Sequence, residues 1–404
     1  MDPLLEIVIL LFIGVLFFDN YIVIENYLFI NKSLGTEING FSKEELTKSF
    51  KETQDKGFYK ILENKIGLIT LFVTLYFLVP ISYDVVKELV PNESSFIQGI
   101  VQFLALSIPL YPISLMFTYL NFNVDKKYGH IKISFFKFMK NSLKETIFGI
   151  FIGILVFYFF DVSYNYTDNW WLYISGFMAI LMIVMNILSP YLASFLDAKT
   201  EEFTGEYAEE VKKELAKKGI KSENIRYAKK SEKDERPNAY VAGSFGTLKI
   251  VLYDTLTNLL TPMESVAVIG HELGHKEHKH NLIGSLFGFL IIGGMFFIMG
   301  NIPNEWFQYF NIEKNSMMIL FIGSLVLSPY MFIMGFFQNL LSRKNEFQAD
   351  DYGVEMTSKE DMKNALIKIY KKSNSYPIVS KLYGLKNLSH PTLLERIKNI
   401  EKES

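Results

Sequence analysis

The chain has 404 residues, of which 50% are hydrophobic and 15% aromatic, and its formal net charge at pH 7 is −2. This composition is too apolar for an ordinary soluble protein and indicates membrane-spanning segments, while the near-neutral charge gives no reason to expect a nucleic-acid partner. Because the chain has no cysteine, disulfides, thiolate metal sites and a cysteine nucleophile are excluded, and any metal must bind histidine and carboxylate groups.

Apolar stretches predict five membrane spans in the N-terminal half of the chain. Met1-Asp2-Pro3 lacks the basic region of a signal peptide, so the stretch that begins at Leu4 is interpreted as a retained first span. Two lysine-rich segments separate the spans and are predicted to be basic loops, and His130 in the second loop is predicted to lie at the surface. The predicted spans cover residues 4–30, 66–83, 96–119, 146–160 and 170–195, and the two loops cover residues 31–65 and 123–144.

Polar residues occur within these spans, and they bear on the interior of the predicted bundle. Asp19, Glu25 and Asn26 in the first span and Asn186 in the fifth are at or near membrane depth. In the first span, one interpretation is that the helix has already left the hydrocarbon where these residues occur. The other is that the polar side chains face each other or a water-filled chamber, because charged groups are costly in hydrocarbon.

The chain changes in character after residue 196. Residues 197–268 are highly charged, with an amphipathic helix predicted at 202–218 and two strands predicted at 239–241 and 248–253 around a turn at 243–246. Two further spans are predicted at 282–299 and 317–337, followed by a polar helical region. We therefore expect a membrane region at 1–196 with five spans, and a second domain at 197–404 that includes spans six and seven.

The distribution of basic residues between the loops predicts the orientation of the chain. The loops after spans one, three and five and the C-terminal tail are rich in lysine and arginine, whereas the other loops carry at most one such residue each. The positive-inside rule then places the N-terminus outside a cell membrane and the C-terminus in the cytoplasm. The motif at 271–275 and Glu346, which are described next, lie at the cytoplasmic ends of predicted helices.

A His-Glu-x-x-His motif at 271–275 predicts a metal site. On a helix, His271 and His275 lie one turn apart and can bind one Zn²⁺, with Glu272 beside them as the general base. Thr261, Pro262 and Glu264 predict the start of that helix, as an N-cap, a first-turn proline and a carboxylate at the third helical position. A chance match to the motif would usually lack a third ligand.

A third ligand is available downstream, where Glu346 and Asp350 are again one helical turn apart. Glu346 would complete a His₂Glu site whose fourth position is open to water, which is the arrangement of catalytic zinc. Asp350 would accept the N–H of a ligand histidine and fix its tautomer. His278 and His280 are interpreted as parts of a solvated helix end rather than as further ligands.

These motifs together resemble the type 1 CAAX prenyl endopeptidases, integral-membrane zinc metalloproteases that are related to the HtpX-like stress proteases. Lys276 and Thr392 depart from that family, which usually has tryptophan and proline at these positions. The resemblance extends to Phe18-Asp19-Asn20-Tyr21 and so covers nearly the whole chain. The other matching stretches are 238–240, 250–256, 271–275, 342–350 and 389–396.

The resemblance implies a mainly α-helical fold, in which seven transmembrane helices enclose a chamber and a zincin-like α+β metallopeptidase domain lies on the cytoplasmic side. It implies that His390 and Arg396 stabilise the oxyanion or hold substrate, although a helix start and a surface arginine remain the simpler interpretation. It also implies that Asn238, Ala239 and Tyr240 form an edge strand that pairs with an extended peptide substrate.

Three functions remain open from the sequence. The family's substrates are C-terminal C-a-a-X peptides that carry an isoprenoid, but a general membrane quality-control protease of the HtpX-like kind would use the same residues. A non-proteolytic binding or transport protein with a structural zinc is the third possibility. A structural zinc usually has four protein ligands and no use for Glu272, so the sequence favours a protease.

Overall fold

The computed structural model describes residues 3–34, 36–38, 40–196, 200–231, 233–242 and 248–402, with the backbone alone described at 189–196 and at 242. The turn predicted at 243–246 therefore lies outside the described residues. The N-terminal half of the described chain is helical. Its helices are α1 (Pro3–Ser33), α2 (Lys43–Val73), α3 (Val79–Leu89), α4 (Ser95–Ser107), α5 (Tyr111–Lys127), α6 (Phe135–Asn141), α7 (Leu143–Tyr166) and α8 (Trp170–Leu196).

The C-terminal half combines helices with one small sheet. Its helices are α9 (Glu206–Ala216), α10 (Asp254–Thr257), α11 (Pro262–Glu277), α12 (His280–Gly300), α13 (Asn304–Tyr309), α14 (Ser316–Met356), α15 (Lys359–Lys372), α16 (Lys381–Asn387) and α17 (Leu393–Glu401). Its strands are β1 (Thr200–Glu202), β2 (Ile225–Ala228), β3 (Ala239–Ala242) and β4 (Lys249–Tyr253).

Within the described residues, seven helical segments are long and apolar enough to cross a membrane, which confirms the predicted number of spans. The second segment joins α2 to α3 through a π-helical turn at Thr74–Leu78, and the third joins α4 to α5 through a 3₁₀ turn at Ile108–Leu110. The seven segments are Pro3–Ser33, Lys43–Leu89, Ser95–Lys127, Leu143–Tyr166, Trp170–Leu188, His280–Gly300 and Ser316–Met356.

The prediction of a basic loop at 31–65 is wrong over most of that range, because α2 begins at Lys43 and continues into the second span. The side chain of Ser42 accepts from the backbone N–H of Glu45, and the Glu45 carboxylate accepts from the backbone N–H of Ser42 at 2.7 Å. This capping box starts a helix that lysine and glutamate propagate well. Part of the second predicted loop is also helical, since α5 extends to Lys127 and α6 follows.

The prediction that His130 lies at the surface is also wrong. Its side chain is buried, and its Nε2 lies 3.0 Å from both carboxylate oxygens of Glu52 on α2. Gly129 makes this possible, because its φ of +86° turns the chain back after α5 in a conformation that other residues rarely adopt.

The polar residues of α1 contact the segment around α16. The Asn26 side chain is buried, and its Oδ1 accepts from the backbone N–H of Ser380 at 2.9 Å. Glu25 accepts from the Ser380 hydroxyl, and Asp19 lies 3.9 Å from the Lys386 ammonium. The polar side of α1 is thus used to hold the segment around α16. In the fifth span, the exposed Asn186 donates to Ser285 on α12 at 3.1 Å.

A buried carboxylate joins three helices at the end of α14 that is distant from the metal motif. Asp161 on α7 accepts from the hydroxyls of Ser95 and Ser316, at 2.7 and 2.5 Å. Ser95 and Ser316 are the first residues of α4 and α14. The N-termini of α4 and α14 therefore both lie next to Asp161.

The sheet has the strand order β1-β2-β4-β3, with β2 and β4 parallel and the other two pairs antiparallel. One face of the sheet packs against α9 and α11 in a shared apolar core that includes Val211, Leu215, Ile250 and Ile269. This core fixes α11 beside the edge strand β3. The strands predicted at 239–241 and 248–253 correspond closely to β3 and β4.

Glycines allow α11 and α14 to pack with their backbones in close approach. A Cβ atom on Gly274 would lie 2.9 Å from the Cα of Ala349, and one on Gly353 would lie 2.8 Å from the carbonyl oxygen of Ala267. Neither position has room for a larger side chain. This contact brings residues 271–275 of α11 against residues 346–350 of α14.

Candidate metal centre and active site

The helix that carries the His-Glu-x-x-His motif begins as predicted. The Thr261 hydroxyl accepts from the backbone N–H of Glu264, whose carboxylate accepts from the backbone N–H of Thr261 at 2.8 Å. Lys368 on α15 pairs with the same carboxylate at 2.6 Å. α11 is therefore fixed at its N-terminus, and His271 and His275 point from one face of its last turns toward α14.

His271, His275 and Glu346 meet in a small triangle. The two Nε2 atoms lie 3.2 Å apart, His275 Nε2 lies 3.3 Å from Glu346 Oε1, and His271 Nε2 lies 3.5 Å from Glu346 Oε2. Glu346 Oε2 is buried and has no hydrogen-bond partner among the described residues. A buried carboxylate oxygen without a donor, beside two imidazole nitrogens, is suited to bind a metal ion.

Asp350 lies directly behind His271, with its Oδ1 at 2.8 Å from His271 Nδ1. Arg396 on α17 donates to both oxygens of Asp350, at 2.5 and 2.8 Å. Burial alone would lower the pKa of Arg396, but the charge of Asp350 raises it, so the guanidinium stays charged. The carboxylate can therefore accept from Nδ1–H of His271 and leave its Nε2 free to bind a metal.

His278 and His280 were both predicted to belong to a solvated helix end. His278 is exposed as predicted, but the prediction is wrong for His280. His280 is buried, its Nδ1 lies 2.9 Å from His275 Nδ1, and its Nε2 lies 3.1 Å from Gln348 Oε1. α11 ends at Glu277, and Lys279 adopts a left-handed φ of 56° that turns the chain back toward α11. No helical periodicity in the sequence indicates such a return.

Glu272 lines a cavity of about 330 Å³ next to the triangle. Burial raises the pKa of Glu272 above its ordinary value, despite the opposing effect of the nearby His271 and His275. Burial alone would lower the pKa of His275, but its contact with Glu346 raises it. The remaining wall combines polar and apolar groups, namely Pro237, Asn238, Ala239, Leu256, Val268, His271, Met362, Leu366, Ile369, Tyr370, Ser373, Ser375, His390 and Arg396.

His390 lines the same cavity as Glu272 and lies next to the triangle of candidate metal ligands. Its Nε2 is 3.3 Å from Glu346 Oε1, and its side chain is 58% exposed. Its Nδ1 lies 2.8 Å from the hydroxyl of Ser389. A side chain that is exposed to the cavity and close to the metal ligands can contact a bound peptide.

Arg343 was not singled out from the sequence, yet it holds the segment that carries His390. It is buried, and it donates to the carbonyl oxygen of His390 at 3.1 Å and to the Glu395 carboxylate at 2.7 and 2.8 Å. Its position three residues before Glu346 puts it on nearly the same face of α14. That spacing is the only signal for it in the sequence.

The three residues of the predicted substrate strand differ in position. Asn238 and Ala239 line the cavity, whereas Tyr240 does not and its ring packs 6.1 Å from the ring of Tyr253. Alternation along β3 puts the side chains of Ala239 and Tyr240 on opposite faces, and Asn238 precedes the strand. Within the described part of the sheet, β3 is an edge strand that pairs with β4 alone.

Comparisons with known proteins match both halves of the chain. The family model described as Peptidase family M48 matches residues 202–404, and the model described as CAAX prenyl protease N-terminal, five membrane helices, matches residues 31–194. A CAAX prenyl protease 1 homolog from Dictyostelium discoideum is 29% identical over 397 residues, which cover 91% of this chain and 90% of that protein.

Two further matches agree with this. The CAAX prenyl protease 1 of Saccharomyces cerevisiae is 28% identical over 308 residues, which cover 70% of this chain and 67% of that protein. The crystal structure of Ste24p from S. mikatae has a TM-score of 0.88 and 23% sequence identity, with 100% of both chains covered. The likeness to the S. mikatae structure shows the fold alone.

Proposed function

Because the chain belongs to peptidase family M48 and is a multi-pass membrane metalloendopeptidase, we propose that its metal is zinc, held by His271, His275 and Glu346. The single observation that carries this proposal is the triangle of ligand atoms. Tetrahedral zinc with bonds of about 2.0–2.1 Å to nitrogen and oxygen separates its ligand atoms by roughly 3.3 Å. The two histidine nitrogens lie 3.2 Å apart, and the Glu346 carboxylate approaches them with Oε1 at 3.3 Å from His275 and Oε2 at 3.5 Å from His271, which is close to that spacing. One ligand atom from each of the three residues lies within 4.8 Å of the others.

A bound zinc ion would lower the pKa of a coordinated water toward about 7 and polarise the scissile carbonyl. In the proposed mechanism Glu272 takes a proton from the attacking water and gives it to the leaving amine. The raised pKa of Glu272 supports this, because a carboxyl whose pKa lies closer to neutral is a better proton carrier. His390 faces the same cavity and would donate a hydrogen bond to the developing oxyanion.

Arg396 is proposed to act mainly by position. Its guanidinium donates to Asp350 and lies 3.9 Å from Glu346 Oε2, so it stabilises the charges behind the metal ligands. Asp350 in turn would fix the tautomer of His271.

We propose that peptide substrates bind by adding a strand to the edge of β3. β3 follows Asn238, which lines the cavity with Glu272 and His271, and it lies at the open edge of the described sheet. In such pairing the backbone of residues 238–240 supplies the hydrogen bonds, including at Tyr240, whose side chain points away from the cavity. An extended peptide would then pass over the triangle of metal ligands.

The substrate class proposed is a C-terminal C-a-a-X peptide that carries an isoprenoid. The names of the Dictyostelium and yeast relatives, and the match to both family models over most of the chain, support this class. A general membrane quality-control protease of the HtpX-like kind is the second candidate. The match of residues 31–194 to the five-helix N-terminal model favours the first.

The membrane region is proposed to surround a chamber that opens to the cavity. In the seven candidate spans, between 6% and 33% of the most apolar window is buried within the protein, which is little for a solid bundle. Helices that face lipid on one side and an internal space on the other would show such values. Division at residue 196 into a membrane region and a metallopeptidase domain agrees with the ends of the two family matches.

The orientation proposed has the N-terminus outside the cell membrane and the active site toward the cytoplasm. The lysines of α2 and of the segment from α5 to α7 support it, because they would lie on the same side as α11 and the C-terminal helices. A bilayer and a peptide or protein substrate are the partners that this arrangement needs.

A structural zinc in a non-proteolytic protein is disfavoured by the ligand count. Among the described residues, the group around the triangle consists of three ligands, and Glu272 lies beside them in the cavity wall. A structural site would usually supply a fourth protein ligand.

The deciding experiment compares Glu272→Gln with the parent protein on a fluorogenic peptide. Cleavage should fall by about 10²–10⁴-fold because the proton acceptor is lost, while zinc content stays at the parental level. Glu277→Gln, on the same helix but exposed, is the matched control and should keep both properties. Near-parental turnover by Glu272→Gln would show that the mechanism is wrong.

The substrate class is tested separately with a farnesylated peptide and its unprenylated twin. Faster cleavage of the farnesylated peptide by the parent enzyme supports the prenyl-peptide proposal. Equal rates, together with cleavage of unfolded membrane proteins, would favour the quality-control function.

A further inference from the structure

We propose that His280 is a positioning residue for the metal centre, which orients the proposed ligand His275 through a hydrogen-bond chain that ends at Gln348. The proposal rests on the proposed function, because it assumes that His275 binds the metal. It concerns a residue outside the His-Glu-x-x-His motif and outside the set of metal ligands.

The directions of the hydrogen bonds follow from the positions of the nitrogens. His275 Nε2 faces His271 and Glu346, so it must be unprotonated to bind a metal, and its Nδ1 then carries the proton. That Nδ1 lies 2.9 Å from His280 Nδ1, which must accept. His280 Nε2 therefore carries a proton, and it lies 3.1 Å from Gln348 Oε1, which accepts.

Both hydrogen bonds agree with one assignment of protons. The chain runs from His275 through His280 to Gln348, and each member uses a group that is suited to its role. The two proposed metal ligands thus have different partners. His271 donates to the charged Asp350, whereas His275 donates to a neutral imidazole, which orients the ring without adding a negative charge.

The backbone holds this chain in place from three elements. His275 belongs to α11, His280 is the first residue of α12, and Gln348 follows Glu346 by two residues on α14. His280 is 5% exposed and is brought back to α11 by the left-handed Lys279. Rotation of the His275 ring would therefore break a partly buried hydrogen bond, which is costly.

A role for His280 as a fourth metal ligand does not fit this geometry. Its Nδ1 faces Nδ1 of His275, on the side of that ring away from His271 and Glu346. The group of potential ligands whose donor atoms lie within 4.8 Å of one another consists, at this site and among the described residues, of His271, His275 and Glu346.

The test measures zinc binding to metal-free, full-length protein by competition with a chromogenic chelator, so its readout does not depend on peptide cleavage. His280→Ala should raise the zinc dissociation constant by about 10–100-fold, which is typical for loss of a partner behind a metal ligand. His280→Asn should restore much of the affinity, since its amide oxygen replaces Nδ1 as the acceptor. His278→Ala is the matched control, because it removes an exposed imidazole from the same segment.

Gln348→Ala provides a second, independent variant if His280→Ala does not fold. It should weaken zinc binding in the same direction but less, and the double variant should be no weaker than His280→Ala, because both changes break one chain. In the cobalt-substituted protein, His280→Ala should also change the visible absorption bands, whereas His278→Ala should not.

Parental zinc affinity in His280→Ala would overturn the proposal, and so would an affinity of His280→Asn no higher than that of His280→Ala. Where His280→Ala does not fold, parental zinc affinity in Gln348→Ala would overturn it. Complete loss of zinc, as expected for His275→Ala, would also overturn it and make His280 a ligand. The proposed function is tested by a separate experiment, in which peptide cleavage by Glu272→Gln would contradict it. The zinc affinities measured here can be interpreted whatever the outcome of that experiment.

Discussion

Arg396 and Asp350 form a buried ion pair with two hydrogen bonds, at 2.5 and 2.8 Å, and the same carboxylate contacts His271 Nδ1. Asp350 is fully buried and Arg396 nearly so. From the sequence, the family resemblance implied that Arg396 stabilises the oxyanion or holds substrate, and a surface arginine was the alternative. The structure instead puts its charge behind the metal triangle, where it balances the two carboxylates.

Asp350→Ala should therefore be strongly destabilising. It leaves the Arg396 charge buried without a partner, and removal of one member of a buried pair typically costs about 3–5 kcal/mol. It should also weaken zinc binding, because His271 loses its acceptor. Chemical denaturation and chelator competition measure the two effects. Asp351→Ala, an exposed neighbour on the same helix, should change neither; equal effects of both changes would contradict the assigned contact.

Gly353→Ala should impair the metal centre without touching it. The added Cβ would lie 2.8 Å from the carbonyl oxygen of Ala267, so α14 must move away from α11 and carry Glu346 with it. Overpacking of this kind costs about 1–3 kcal/mol. The melting temperature and the zinc content should both fall. Gly335→Ala, on the same helix with no atom within 4 Å of the new Cβ, should be tolerated, and a parental Gly353→Ala would refute the close contact.

His130→Ala should loosen the contact between the membrane region and the C-terminal helices. Glu52 accepts from His130 and, at 2.5 Å, from Asn374, so loss of the imidazole leaves a buried carboxylate with fewer donors. A loss of about 1–3 kcal/mol is expected. Lys56 pairs with Glu52 at 2.6 Å and with Asp125 at 3.2 Å. The two carboxylates beside His130 are therefore already paired with a cation, and we expect the cluster of Glu52, Asp125 and His130 not to bind zinc.

Thermal unfolding measures the first effect, and metal analysis of a Glu346→Ala variant measures the second. Lys137→Ala, an exposed change in the same segment, is the control for stability. A full equivalent of zinc retained by Glu346→Ala and lost on the further change His130→Ala would identify a metal site in this cluster, against the prediction.

Cysteine labelling tests the proposed orientation, and the parent chain has no cysteine to interfere. Ser42 and Asp168 are both exposed, the first before α2 and the second between α7 and α8. In intact cells, a membrane-impermeant thiol reagent should label Asp168→Cys and leave Ser42→Cys unlabelled until the membrane is opened. The reverse pattern would place the active site outside.

The sequence predicted what depends on local spacing. The seven spans, the start of α11 at Thr261 and the pairing of His271 and His275 on one helix face all follow from patterns of hydrophobicity, capping and periodicity. The meeting of Glu346 with these histidines required a chemical argument about ligand sets, since 71 residues separate Glu346 from His275.

The contacts that the sequence did not reveal join distant parts of the chain or depend on one unusual backbone angle. Asn26 contacts Ser380, 354 residues away, and no pattern in α1 distinguishes an amide that faces water from one that binds backbone. His130 and His280 are buried because Gly129 and Lys279 have positive φ values. Arg343 looks like any charged residue at the end of a span until the position of His390 is known.

One helix, α14, carries both Ser316 and Glu346, so a change in its tilt or bend affects both positions. Ser316, its first residue, is bound to Asp161, and Glu346 follows about 45 Å farther along the same helix, with Pro329 between them. If the helix bends at this proline, rotation by one degree moves Glu346, about 26 Å away, by roughly 0.4 Å. A change in bilayer thickness alters the tilt of such a helix. Lipids with longer or shorter acyl chains would then change the position of Glu346, and with it the geometry of the candidate metal ligands.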